Sequence, residues 1–278
     1  MNWLTYALAA VAINTTLVLS LRVLSKKSTN PRITGFIYNS YAALVSVCIW
    51  IISGAPLPSN VPLYAIGLLL FSALGYGIFQ RGQFYLRKKV EASELVPVSQ
   101  MGLIAGFVAS IIILHEPVSP KKLLGVLIVV SATLIVSLNR KLTINKYALT
   151  AIGISSALSI AGVIDKYNSS NYPFFFYIML IWIIPLPFIL LPVKRGEIHT
   201  AIKEAGWQTP VLATLNVLSL IFFVRALQLG QASSIIPILG TVTVLSVLGG
   251  IVILGETKYW GRKLIAGLLA TIGIIILR

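Results

Sequence analysis

The sequence predicts an all-α polytopic membrane protein, ten transmembrane helices arranged as two inverted five-helix repeats. Three observations carry the prediction: scarce charge, recurring apolar runs of about 20 residues, and self-similarity at an offset of 140 residues. Of 278 residues, 57% are hydrophobic and 10% charged, whereas a soluble domain carries roughly 25% charged residues. Water cannot be the main solvent of such a chain.

Apolar runs and their breakers place helices near 3–21, 33–53, 61–80, 93–114, 121–138, 147–165, 173–192, 210–229, 233–254 and 261–277. The first run has its basic residues, Arg22, Lys26 and Lys27, behind it rather than in front, unlike a cleaved signal peptide. Gly54-Ala55-Pro56-Leu57-Pro58 ends the second run, Arg87-Lys88-Lys89 follows the third and Arg140-Lys141 the fifth. No linker between the runs is long enough to hold another domain.

A shift of 140 residues sets Ala92-Ser93-Glu94-Leu95-Val96-Pro97 against Ala232-Ser233-Ser234-Ile235-Ile236-Pro237, and Ile113-Leu114-His115-Glu116 against Ile253-Leu254-Gly255-Glu256. Apolar matches arise by chance between membrane helices, but a shared proline and a shared turn glutamate at one offset do not arise so easily. The chain therefore reads as a duplication, residues 1–141 and 142–278. Five is odd, so the second copy enters the membrane from the opposite side, the plan of many alternating-access carriers.

At these residues the chain resembles the drug/metabolite transporter superfamily, in particular proteins with two EamA-type domains. The pattern is an Ala-Ser helix start, a proline four or five residues on, and Leu-x-Glu at the helix end, at 92–116 and again at 232–256. The resemblance implies a ten-helix carrier that exports or exchanges small metabolites such as amino acids or organic anions. It also implies cytoplasmic termini in a bacterial or archaeal plasma membrane.

Charge placement predicts the reverse orientation. Of the 22 Lys and Arg, 17 fall in the loops after odd-numbered helices or at the adjoining helix ends. By the positive-inside rule those loops are cytoplasmic and both termini lie outside. The net charge of +15 belongs to these helix ends and to anionic head groups, and implies no nucleic-acid partner. The expected partners are the bilayer and a small-molecule substrate.

Inverted carriers hold substrate near the midplane, where the two repeats meet. Tyr76, Gln80 and Gln83 share one helical face, and the shift pairs Tyr76 with Asn216. A shift of 141 pairs Asn14 with Ser155, with Ser159 one turn further. These seven groups and Arg225 are candidate substrate contacts, the long polar stripe favouring a cavity lining. For Asn14, Ser155 and Ser159 the competing role is interhelical hydrogen bonding. Arg225 suits a carboxylate or phosphate, since guanidinium binds two oxygens at once, but it could equally snorkel to the head groups. Pro97 and Pro237 free the carbonyls of Ser93 and Ser233, and serve either as hinges or as tolerated kinks.

Gly102 and Gly106 have the GxxxG spacing of close helix packing. Glu116 and Glu256 read as turn carboxylates that cap helices or pair with Lys121 or Arg262. Glu94 and Asp165 fall at helix ends, so the sequence offers no deep carboxylate and predicts exchange or facilitated diffusion without a carboxylate switch. Cys48 is the only cysteine, which excludes an internal disulfide and a cysteine metal site. No P-loop or HExxH is present, so neither an enzyme nor a cofactor is expected. Two other readings compete with the carrier: a flippase for lipid-linked intermediates and a non-transporting scaffold.

Overall fold

The computed structural model describes residues 2–27, 31–89, 101–137, 146–190, 202, 206–254 and 260–277. The described chain is helical, with no strand among the described residues. In order the helices are α1 (Trp3–Lys27), α2 (Pro31–Ser53), α3 (Leu63–Lys89), α4 (Met101–Leu114), α5 (Pro120–Ser137), α6 (Lys146–Asn168), α7 (Phe174–Ile183), α8 (Leu186–Leu190), α9 (Gln208–Leu229), α10 (Ala232–Leu254) and α11 (Trp260–Leu277). Five of them contain stretches long and apolar enough to cross a membrane: Trp3–Leu21, Ile33–Ser53, Leu63–Gln83, Leu149–Asn171 and Gln208–Leu229. This is an integral, multi-pass membrane protein.

Two predicted boundaries move for physical reasons. α3 runs on through Arg81 to Lys89; the exposed Arg81 carries its charge out on a long stem, which lets a helix continue past the hydrocarbon edge. The single helix predicted at 173–192 is broken at Ile184-Pro185, where α7 stops and α8 begins. Pro185 has no amide hydrogen to donate, and its carbonyl accepts from Phe188 and Ile189 instead. The start predicted for the fourth helix, with Pro97, lies outside the described residues.

Within the helices, hydroxyls return to the backbone one turn back. Thr15 Oγ1 donates to Val11 O at 2.8 Å, Ser155 Oγ to Ala151 O at 2.8 Å and Thr214 Oγ1 to Pro210 O at 2.9 Å. That satisfies the polar groups without water, as hydrocarbon requires. The molecule is correspondingly apolar on its outside: Leu63, Ile66, Leu70, Phe71, Leu74 and Ile78 of α3 are all exposed. They form one stripe at helical spacing, and the opposite face, with Ala65, Leu69, Ser72 and Ala73, is buried.

Packing is reciprocal between the sequence halves. α1 packs along α9 and α10, while α3 and α4 pack along α6; α5 packs along α11. Each of the two large apolar clusters joins both halves: one draws on α1, α2, α3, α7 and α9, the other on α1, α4, α5, α6, α9, α10 and α11. Neither half has a main core of its own among the described residues.

Candidate functional site

Glycines bring α3 onto α6. A Cβ on Gly75 would lie 2.9 Å from the Ala157 carbonyl oxygen, and one on Gly82 would lie 2.8 Å from Ile154 Cγ2. The two helices run antiparallel, since Asn168 Nδ2 donates to Ala65 O at 2.9 Å at one end of this contact. This register sets Asp165 opposite the polar face of α3. Ser72 Oγ donates to Asp165 Oδ1 at 2.5 Å, and Tyr76 Oη donates to Oδ2 at 2.7 Å. A third donor, Tyr177 Oη of α7, reaches Oδ1 at 2.7 Å.

Asp165 is 0% exposed. The sequence reading placed it at a helix end, away from any buried role, and that reading is corrected. α6 continues to Asn168, and the following 3-10 turn Ser169–Asn171 and α7 fold back over it. Its position was readable, but burial by a later segment was not. The signal available in the sequence was an acidic residue inside an apolar run beside a tyrosine-rich helix.

The predicted stripe on α3 leads to this carboxylate. Tyr76 is half-buried, Gln80 is buried, and Gln83 is half-buried with its amide Nε2 donating to Gln80 Oε1. On the reciprocal contact, Ser219 Oγ of α9 donates to Ala10 O of α1 at 3.3 Å, and Tyr6 meets Phe222 with ring centroids 6.0 Å apart. That antiparallel register brings Asn14 level with Asn216. Both are half-buried, and neither side chain has a hydrogen-bond partner among the described residues.

Ser155 and Ser159 line a different seam. A Cβ on Gly102 would lie 2.7 Å from the Ser155 backbone, and one on Gly106 would lie 2.9 Å from Ser159 Cβ. The GxxxG of α4 thus packs on α6 as its spacing predicted. Pro237 is buried inside α10, on the same helix whose start is held by Glu116.

Arg225 is half-buried on α9. Its guanidinium carbon lies 3.6 Å from the centroid of the Phe174 ring, and its Nη1 donates to Gln228 Oε1 at 3.0 Å. Gln228 Nε2 in turn donates to Ser169 Oγ at 3.1 Å. No carboxylate among the described residues pairs with Arg225. Phe174 stands one turn before Tyr177, so the cation and the Asp165 cluster share one end of the bundle.

Glu116 sits at that same end, in a different network. His115 follows α4 in the left-handed region, φ 53°, and the chain turns there so that Glu116 meets α10. Its Oε1 accepts from Ala232 N at 2.8 Å and its Oε2 from Ser233 N at 2.9 Å, capping the helix. Lys166 Nζ pairs with Oε1 at 2.6 Å and also donates to Gly230 O at 2.6 Å. Capping was predicted, but the partner is Lys166 from the other sequence half rather than Lys121 or Arg262. Burial pushes the Glu116 carboxyl up, yet its bonds with Lys166, Ser233 and Ala232 outweigh this and hold it below the ordinary value.

Residues 1–138 match the model of the EamA-like transporter family. This first half of the chain belongs to that family. A solved crystal structure superposes on this EamA-like protein with a TM-score of 0.76 at 15% sequence identity, covering 99% of this chain and 95% of that one. At such identity the likeness is one of fold. No curated protein matches the sequence. In an EamA-like transporter, polar groups held between packed helices are the first place to seek a substrate path.

Proposed function

We propose that this chain is a secondary carrier that exports or exchanges small anionic or zwitterionic metabolites, such as amino acids and organic anions. It works by alternating access between two inverted five-helix repeats, 1–141 and 142–278. The observation carrying this reading is the polar interior between the halves: the Tyr76, Gln80 and Gln83 stripe, the amides of Asn14 and Asn216, unpartnered among the described residues, and Arg225 at one end. The reciprocal packing of α1 on α9 and α3 on α6 supports the repeat. With no ATP-binding motif in the sequence, flux runs on a gradient or by exchange.

In this reading Arg225 holds the anionic group of the substrate. A guanidinium stacked on Phe174 and, among the described residues, lacking a carboxylate partner offers its remaining N–H groups to two oxygens at once. Ser155 and Ser159 support the helix seam next to the path, and Pro237 is a hinge in α10. Both termini lie outside by charge placement, in a bacterial or archaeal plasma membrane. Cysteines introduced at Ser28 and Arg140 of a Cys48-free chain then resist an impermeant reagent in intact cells; labelling there reverses the orientation.

Proteoliposomes loaded with a mixture of labelled amino acids and organic acids test the function. Wild type exchanges at least one component, Arg225→Lys loses much of that exchange and Arg225→Gln nearly all. Wild type moving nothing from the mixture removes the carrier reading. Lysine behaving like wild type removes the recognition role of Arg225.

A further inference from the structure

We propose that Asp165 is the proton-binding site through which this carrier couples substrate flux to a pH gradient, its hydroxyl cage tying α3 to α6 and α7 when the carboxylate is ionised. The proposal rests on the carrier reading for the word coupling, but not for the site itself.

The geometry is unusual for a buried charge. Ser72 and Tyr76 of α3 and Tyr177 of α7 give the carboxylate three neutral donors, and no cation among the described residues meets it. Lys166, the next residue, is turned to Glu116 at 2.6 Å. Arg225 of α9 lies over Phe174 and bonds Gln228. The other titratable group nearby is Tyr172, whose ring stands 5.4 Å from that of Tyr177. An ion removed from water without a counterion is costly, and binding a proton is the simplest way to neutralise it.

Protonation changes the hydrogen-bond arithmetic. The ionised group accepts three hydrogens on two oxygens; once Oδ2 carries a proton it becomes a donor, and the Tyr76 hydroxyl must turn away. α3 then keeps only the Ser72 tie to Asp165. The proton reaches Oδ2 from water on the half-buried side of Tyr76, where the stripe of Gln80 and Gln83 continues. It arrives by way of the Tyr76 hydroxyl, which gives its own hydrogen to Oδ2 and takes one from a hydronium ion, leaving a water molecule. The charge of Asp165 and the packing of α3 on α6 are thereby linked, and a linked two-state contact between halves is what coupling needs.

Infrared difference spectroscopy of the full-length protein in lipid, with the proton as the only ligand, reads the site directly. The chain has 7 Asp and Glu in all, so carboxyl bands are few. On acidification wild type gains a protonated-carboxyl band that Asp165→Asn lacks. Tyr76→Phe keeps the band but displaces it, because the group has lost one partner, and this milder variant serves should Asp165→Asn fold poorly. No band in wild type, or the same band in Asp165→Asn at the same intensity, overturns the proposal. In vesicles holding the amino-acid and organic-acid mixture, an imposed pH gradient accelerates wild-type flux, and Asp165→Asn exchanges without that acceleration. Equal acceleration of both overturns the coupling. Vesicles that move nothing count against the carrier reading, and the proton site then stands or falls on the spectrum, which needs no substrate.

Discussion

Asp165 and Lys166 are neighbours in sequence but belong to two opposite ways of burying charge. Lys166 meets Glu116 at 2.6 Å, and Glu116 also takes the first amides of α10, so charge answers charge and a helix terminus shares it. Among the described residues Asp165 has hydroxyl partners alone. The first arrangement joins the α4–α5 turn, α6 and α10 at a bundle end and suits a fixed clamp. The second sits between helices and can change its charge without breaking an ion pair, which suits a moving part.

The comparison is most exposed to removal of Glu116. Glu116→Ala strands the Lys166 ammonium and uncaps α10 together, for a loss of about 3 kcal/mol in reversible detergent unfolding; a loss under about 1 kcal/mol denies the clamp. Asp165→Leu leaves the hydroxyls of Ser72, Tyr76 and Tyr177 without their carboxylate acceptor and should cost about 2 kcal/mol, with the removed charge offsetting part of the loss. Equal stability of Asp165→Leu and wild type means the hydroxyls have other partners. Lys166→Met keeps the helix cap and removes the ion pair together with the bond to Gly230 O, so about 1–2 kcal/mol is expected, smaller than for Glu116→Ala.

Acid distinguishes the two carboxylates further. The folded-state value of Glu116 is depressed, so its stabilisation is whole above the unfolded carboxyl value of about 4.3 and is lost as the pH falls through the lower folded value. Glu116→Gln should flatten that acid limb of the stability profile, and an unchanged limb assigns it to another carboxylate. The smallest stability effect belongs to Asp165→Asn, within about 1 kcal/mol of wild type, because the amide oxygen still accepts from two hydroxyls. Its effect lies in proton coupling, and a large stability loss in this variant moves Asp165 into the same class as Glu116.

Helix positions and the membrane class were legible because they depend on local composition: a run such as Leu63–Gln83 must cross hydrocarbon whatever it packs against. The GxxxG seam was legible for the same reason, since Gly102 and Gly106 can serve only close approach at that spacing. The stripe Tyr76, Gln80 and Gln83 followed from helical periodicity. The family resemblance was carried by the repeated Ala-Ser, proline and Leu-x-Glu positions. All of these are properties of one segment or of two segments compared.

Tertiary structure alone decided which partner each charge meets. Lys121 is five residues from Glu116 and Lys166 is fifty, yet packing of α4 on α6 delivers Lys166. Asp165 looked terminal because α6 was expected to stop there, and only α3 and α7 closing over it made it interior. A sequence specifies which groups cannot face lipid. The crossing of three helices specifies which of those groups meet one another, because contacts among α3, α6 and α7 are set by side chains 12 to 93 residues apart along the chain.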